Sequence, residues 1–196
     1  NIVEIVTQSG NDDAALDLSD YLLMPGFINA HSHISLTAFE KKISPTDTDS
    51  FVNWIRALIS FNCALDKDSR IQGIHSGAEV MRRSGVTALG DYVADPEMLS
   101  VIGDLGFRSV LFLETVGFHP EKAQELYENV KEVLLRGTPF PICQLGLAPH
   151  APYSVSPELF RSLGQLAQQY HCPVSCHVAE IKEEGRFLVL GDDSLK

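Results

Sequence analysis

The sequence predicts an α/β fold, a parallel sheet with helices packed outside it. Three observations lead there. Apolar segments rich in strand-forming residues recur five times, each is followed by a stretch of helical periodicity, and several helical stretches carry start and stop residues. After a polar, turn-rich opening (Ser9 to Asp20), Phe27 to His31 reads as the first strand. Helical patterns follow at Phe51 to Phe61 and Ser69 to Ser84, then a strand at Val86 to Tyr92 and a helix at Pro96 to Leu105. Ser109 to Val116 is the third strand. Its helix, Pro120 to Leu135, shows apolar positions Leu126, Val130, Val133 and Leu134, with Gly137 as the stop just beyond. Gln144 to Ala148 is the fourth strand. Ser156 then caps a helix from Pro157 to Tyr170, with proline at the first helical position. Val174 to Val178 is the fifth strand. A doubly wound sheet and a (β/α)8 barrel both fit this alternation. A complete barrel needs eight units and typically about 250 residues, whereas five units occur in these 196 residues.

Composition narrows the partners. Lys and Arg number 15 against 26 Asp and Glu, a net charge of -11. No basic patch is available to neutralise phosphates, so a nucleic-acid backbone is not the expected partner. No apolar run is long enough to span a bilayer, so no membrane is expected either. Asn1 to Val6 lacks the basic start and apolar stretch of a signal peptide. The four cysteines, Cys63, Cys143, Cys172 and Cys176, form no C-x-x-C motif, and reduced thiols in a cytoplasmic protein are the expectation. Cys172 and Cys176 are not a metal pair, because residues four apart on a strand lie about 13 Å from each other. The chain opens without a methionine and stops at Lys196 after an apolar helical run. The expectation is a piece of a longer protein.

The chemistry-bearing residues fall at the C-terminal ends of the predicted strands, where barrels and open α/β sheets place their sites. His31 and His33 end the first strand at i, i+2, which puts both side chains on one face. Imidazole is a common zinc ligand, although two neighbouring histidines can equally be a polar turn after a buried strand. His150 ends the fourth strand, and His177 ends the fifth with Glu180 three residues on. Four of the seven histidines thus share one rim. Parity supports that reading. His177 shares its face with Ser175, and His150 with Ala148, Gly146 and Gln144, while Leu145 and Leu147 point to the helices.

Other residues carry weaker signals. Trp54 could wall a purine-like ring, but at helical spacing with Phe51, Ile55 and Leu58 it also reads as core. His119 follows the third strand and could border the substrate or simply enter the next helix. Glu114 ends the third strand on the rim side, and Asp91 reads as a buried hydrogen-bonding residue. His75 and His171 read as structural.

Pro25-Gly26-Phe27-Ile28-Asn29-Ala30-His31-Ser32-His33, His150-Ala151-Pro152-Tyr153-Ser154 and His177-Val178-Ala179-Glu180 together resemble the amidohydrolase superfamily. More narrowly they resemble its chlorohydrolase and aminopurine-deaminase branch, which includes S-adenosylhomocysteine/methylthioadenosine deaminases. Phe51-Val52-Asn53-Trp54-Ile55 is similar to aminodeoxyfutalosine deaminases. The resemblance implies an incomplete (β/α)8 barrel over residues 26–196, preceded in 1–25 by a remnant of a small β-sandwich domain. It implies one Zn²⁺ or Fe²⁺ with His31, His33 and His177 as ligands, Glu180 as proton shuttle and His150 in contact with the substrate. Trp54 and His119 are further substrate-binding candidates. A histidine after the sixth strand and an aspartate after the eighth have no counterpart in these residues.

The expected function is hydrolytic deamination of an aminopurine-like or other N-heterocyclic small molecule by a metal-activated water. Cyclic-amide hydrolysis and triazine dechlorination are the alternatives within enzymes. Binuclear relatives bridge their ions with a carboxylated lysine on the fourth strand; Cys143 to His150 contains no lysine, which favours one ion. Five strands of a barrel leave an open edge and an uncovered apolar interior. The chain alone is therefore expected to be inactive, to hold metal weakly, and to homo-oligomerise or serve as an interaction module.

Overall fold

The computed structural model describes residues 18, 20–40, 42, 50–191 and 195. Most of the predicted β-sandwich remnant, residues 1–25, lies outside them. Four parallel strands form one sheet in sequence order: β1 (Phe27–Ser32), β2 (Val86–Val93), β3 (Arg108–Thr115) and β4 (Cys143–Pro149). The helices are α1 (Phe51–Ala64), α2 (Lys67–Arg83), α3 (Leu99–Gly103), α4 (Ala123–Arg136), α5 (Pro157–Tyr170) and α6 (Lys182–Leu190). Short 3-10 turns precede α3 and α4, each opened by a proline at Pro96 and Pro120. The caps explain the boundaries. Ser69 N–H donates to the Asp66 side chain at the start of α2, and Leu159 N–H to Ser156 at the start of α5. Gly137 ends α4 with φ +70°, a left-handed backbone that favours glycine.

The two faces of the sheet differ. Leu89, Leu111 and Leu145 point outward into a core with Ile74 and Ala78 of α2 and Ile102 of α3. Leu113 and Leu147 do the same against Leu159, Leu163 and Leu166 of α5. The inward face is aromatic and small. Phe112 of β3 lies beside Tyr92 of β2, ring centroids 5.3 Å apart. It occupies space left by Gly146, where a Cβ would fall 2.7 Å from its ring. On the other side of β1, a 3-10 turn (Ile34–Phe39) presses on α2. Cβ atoms at Gly73 and Gly77 would meet Ala38 at 2.6 Å and Thr37 at 2.5 Å. That close approach fixes the chain immediately after His33.

The fifth predicted strand, Val174 to Val178, is reduced to one bridge, between Leu147 and Val174. Leu147 N–H donates to Pro173 O at 2.9 Å and Ser175 N–H to Leu147 O at 3.0 Å, so the segment runs parallel to β4 without a continuous ladder. Among the described residues no further strand pairs with it, and Val174 and Val178 remain exposed. Phe27 and Ile28 are likewise exposed on β1, at the opposite edge. No helix among the described residues is long and apolar enough to cross a membrane.

Candidate metal centre

Above the Tyr92–Phe112 floor, the C-terminal ends of the strands converge. One ligand atom each of His31, His33 and His177 lies within 4.8 Å of the others. His33 Nε2 and His177 Nε2 are 3.3 Å apart. That is close to the separation of about 3.4 Å for two nitrogens on a tetrahedral ion with bonds near 2.1 Å.

The remaining ring nitrogens are engaged on the far side. His177 Nδ1 lies 2.9 Å from the carbonyl of His150, and the His177 amide donates to the same oxygen at 2.8 Å. An Nδ1–H tautomer is thereby favoured and leaves Nε2 as the lone-pair donor. His33 Nδ1 faces Glu114 Oε2 at 3.8 Å. A carboxylate or carbonyl behind a ligating imidazole is the usual outer support of such ligands.

Burial, then the imidazoles of His177, His31 and His150, pushes the His33 ring down to about 4. Burial and His177 also lower His31 and His150. Neutral imidazole is the ligand form. Burial, together with the charges of Asp91 and Glu180, pushes the Glu114 carboxyl up to about 7, and its Oε1 is buried with no partner among the described residues. Converging nitrogens of His31, His33 and His177 beside an orphaned carboxylate oxygen fit a divalent cation.

The β1 ligands are anchored from below. Asp91 is fully buried; its Oδ1 accepts from Ile34 N–H at 2.8 Å and from Ser32 Oγ at 2.8 Å. These bonds bracket His33, as the expected hydrogen-bonding role requires. Burial raises the Asp91 carboxyl to about 6. Glu180 approaches from the other side, and its charge reaches His31 and His150. Its Oε2 accepts from Tyr153 Oη at 2.8 Å. His150 turns Nδ1 onto Ser154 Oγ at 2.8 Å, with its ring 4.8 Å from that of His177. Glu114, His150 and His177 also offer ligand atoms within 4.8 Å of one another.

The structure thus gathers His31, His33, His150, His177 and Glu180. It leaves the two other substrate candidates apart. Trp54 sits on α1, which buries no residue, and its ring partner among the described residues is Phe51. His119 is exposed and faces Glu121 at 3.5 Å. It directly precedes the Pro120–Lys122 turn, without a side-chain cap bond. The sequence reading missed Tyr92. Its ring centroid lies 4.4 Å from that of His31 and 4.9 Å from those of His33 and His177, and its hydroxyl bonds Ser175. Its place at the end of a predicted strand was the available signal.

Comparison with known proteins agrees with this geometry. The Amidohydrolase family profile matches residues 22–189. Aminodeoxyfutalosine deaminase of Deinococcus radiodurans is 27% identical over 191 residues, covering 90% of this chain and 43% of that protein. The Helicobacter pylori aminofutalosine deaminase structure, in complex with methylthio-coformycin, superposes with a TM-score of 0.69 at 26% identity. That match covers 83% of this chain and 39% of the other. A Xanthomonas campestris adenosine deaminase with bound zinc shares the fold at TM-score 0.67 and 22% identity, over 88% of this chain and 40% of that one. The chain spans less than half the length of these relatives. The parallel sheet with outer helices is accordingly part of the family's barrel, and the chain belongs to the amidohydrolase family.

Proposed function

We propose that this chain carries the first ligands and the proton-transfer group of a metal-dependent hydrolase that deaminates an aminopurine nucleoside or a similar N-heterocycle. The observation that carries the reading is the convergence of three imidazoles, His31, His33 and His177, with the Glu180 carboxylate at the same opening. One Zn²⁺ or Fe²⁺ fits the three nitrogens, and zinc is the ion named for the Xanthomonas relative. Such an ion supplies a Lewis acid and lowers the pKa of a bound water toward 7.

The chain's own residues do the rest. Glu180 holds a proton and hands it to a ring nitrogen, so the carbon bearing the amino group accepts a nucleophile. The same carboxylate then serves the departing ammonia. His150, held by Ser154 through Nδ1, would use Nε2 for the substrate contact. The substrate class follows the relatives, which are named as deaminases of aminodeoxyfutalosine or adenosine and thus support deamination over ring opening or dechlorination. Exposed Phe27 and Ile28 at one sheet edge and Val174 and Val178 at the other support a homo-oligomeric form of this chain.

The test is ammonia release by the zinc-loaded full-length protein that carries these residues, from aminodeoxyfutalosine, methylthioadenosine, adenosine and guanine, beside chloride release from a chlorotriazine. Ammonia from at least one purine, abolished in H177A and E180Q, is expected. Chloride release without ammonia, or no product from any of them, overturns the reading.

A further inference from the structure

The backbone between His177 and α6 bends sharply. Ala179 has φ +59°, a left-handed conformation that residues with a Cβ rarely adopt. Such a state persists where its surroundings over-determine it, and two neighbours of the next residue do so. Glu180 N–H donates to Glu184 Oε2 at 2.8 Å, and Tyr153 Oη donates to Glu180 Oε2 at 2.8 Å. Glu184 is 2% exposed although it is a carboxylate in the first turn of α6.

Its bond is unusual in register. A glutamate at the third helical position ordinarily reaches back to the amide of the N-cap residue, here Ile181. Glu184 reaches one residue further, to Glu180. Ile181 itself offers no side-chain cap. The carboxylate therefore ties the amide of Glu180 to the start of α6, while Tyr153 ties the carboxylate of Glu180 to the loop between β4 and α5, which also carries His150.

We infer that Glu184 and Tyr153 are positioning residues that hold Glu180 at both ends, main chain and carboxylate, over the imidazole cluster. This rests on the reading of Glu180 as the proton carrier. With Oε2 occupied by the Tyr153 hydroxyl, Oε1 is the oxygen that exchanges the proton with the substrate. The left-handed Ala179 aims the Glu180 side chain back toward the site, and the Glu184 bond keeps that turn closed.

Amide hydrogen exchange at Glu180, read by NMR on this chain, tests the main-chain tie without any activity. E184A is expected to speed that exchange about tenfold or more, as loss of a bond to a charged acceptor implies. E184Q, which keeps an acceptor oxygen, is expected to restore most of the protection. Equal protection in E184A and the parent overturns the proposal, as does a loss in E184Q equal to that in E184A. In the ammonia assay, E184A and Y153F are expected to lower kcat about ten- to a hundredfold with KM within about twofold, the signature of a misplaced group. A rise in KM with kcat intact overturns it. Should E184A not fold, E184Q with kcat retained and Y153F with kcat lowered carry the same decision. E180Q separates the two levels. Full activity in E180Q removes Glu180 as proton carrier, whereas the exchange result still decides whether Glu184 ties its amide.

Discussion

The two arms of the site are built differently. The β1 arm presents His31 from a strand hydrogen-bonded to β2 and His33 from the junction with the following 3-10 turn, which is anchored by Asp91 and pressed against α2 at Gly73 and Gly77. The opposite arm presents His177 and Glu180 from a segment with one β-bridge, held by the His150 carbonyl, Tyr153 and Glu184. One arm is placed by backbone pairing and packing, the other by a handful of polar contacts. Two of the three imidazoles sit on the first, and the third sits on the second. The group assigned to move a proton sits on the second, where the supports act on individual atoms.

That contrast yields measurable differences. The largest effect is expected from H177A. It removes the ligand contributed by the loosely built arm, and zinc affinity by equilibrium dialysis should fall by well over the roughly 10- to 100-fold typical of outer support residues. H31A and H33A should match it, and retention of tight zinc in any of the three would break the triad. Next is D91A, which strands the Ile34 amide and leaves the Ser32 hydroxyl only the Gly90 carbonyl. It is expected to cost about 2–4 kcal/mol in urea unfolding, whereas Y153F on the other arm should cost about 1 kcal/mol.

Asp91 also predicts a pH dependence. Its folded carboxyl titrates at about 6, above the ordinary 3.8. The folded state therefore binds more protons than the unfolded one between these values, and the contribution to stability falls as pH rises from 4 through 6. The swing is about 3 kcal/mol. D91N, which stays neutral and keeps an acceptor oxygen, should lose that slope across a pH 4–7 series of urea midpoints. E114Q comes next. Weakening the support behind His33 is expected to reduce zinc affinity about tenfold with little change in stability. A179G is the smallest, because relief of the left-handed strain is offset by the added freedom of glycine when unfolded. Thermal denaturation should show a change within about 1 kcal/mol.

Much of this was legible in the sequence because it follows period and parity. The outward Leu145 and Leu147, the inward Gly146 and the caps at Ser156 and Gly137 are local consequences of residue type. His31, His33, His150 and His177 were legible because strand ends converge. The fifth strand was not, since Val174 to Val178 has the apolar content of a strand but lacks a partner on its far side among the described residues. The surroundings of Trp54 and His119 were not legible, because an aromatic or an imidazole near a rim says nothing about where its side chain points. Tyr92, Tyr153 and Glu184 act through contacts across 83, 27 and 4 residues of chain, and no periodicity encodes such pairings.

Tyr92 has a consequence for how the centre tolerates change. The rings of His31, His33 and His177 all rest on one phenol, which is itself tied to Ser175 on the far arm. A single buried side chain therefore touches both arms, the far one through ring and hydroxyl alike. Truncating it would withdraw contact from all three imidazoles at once, so the two arms, built by different means, share one support.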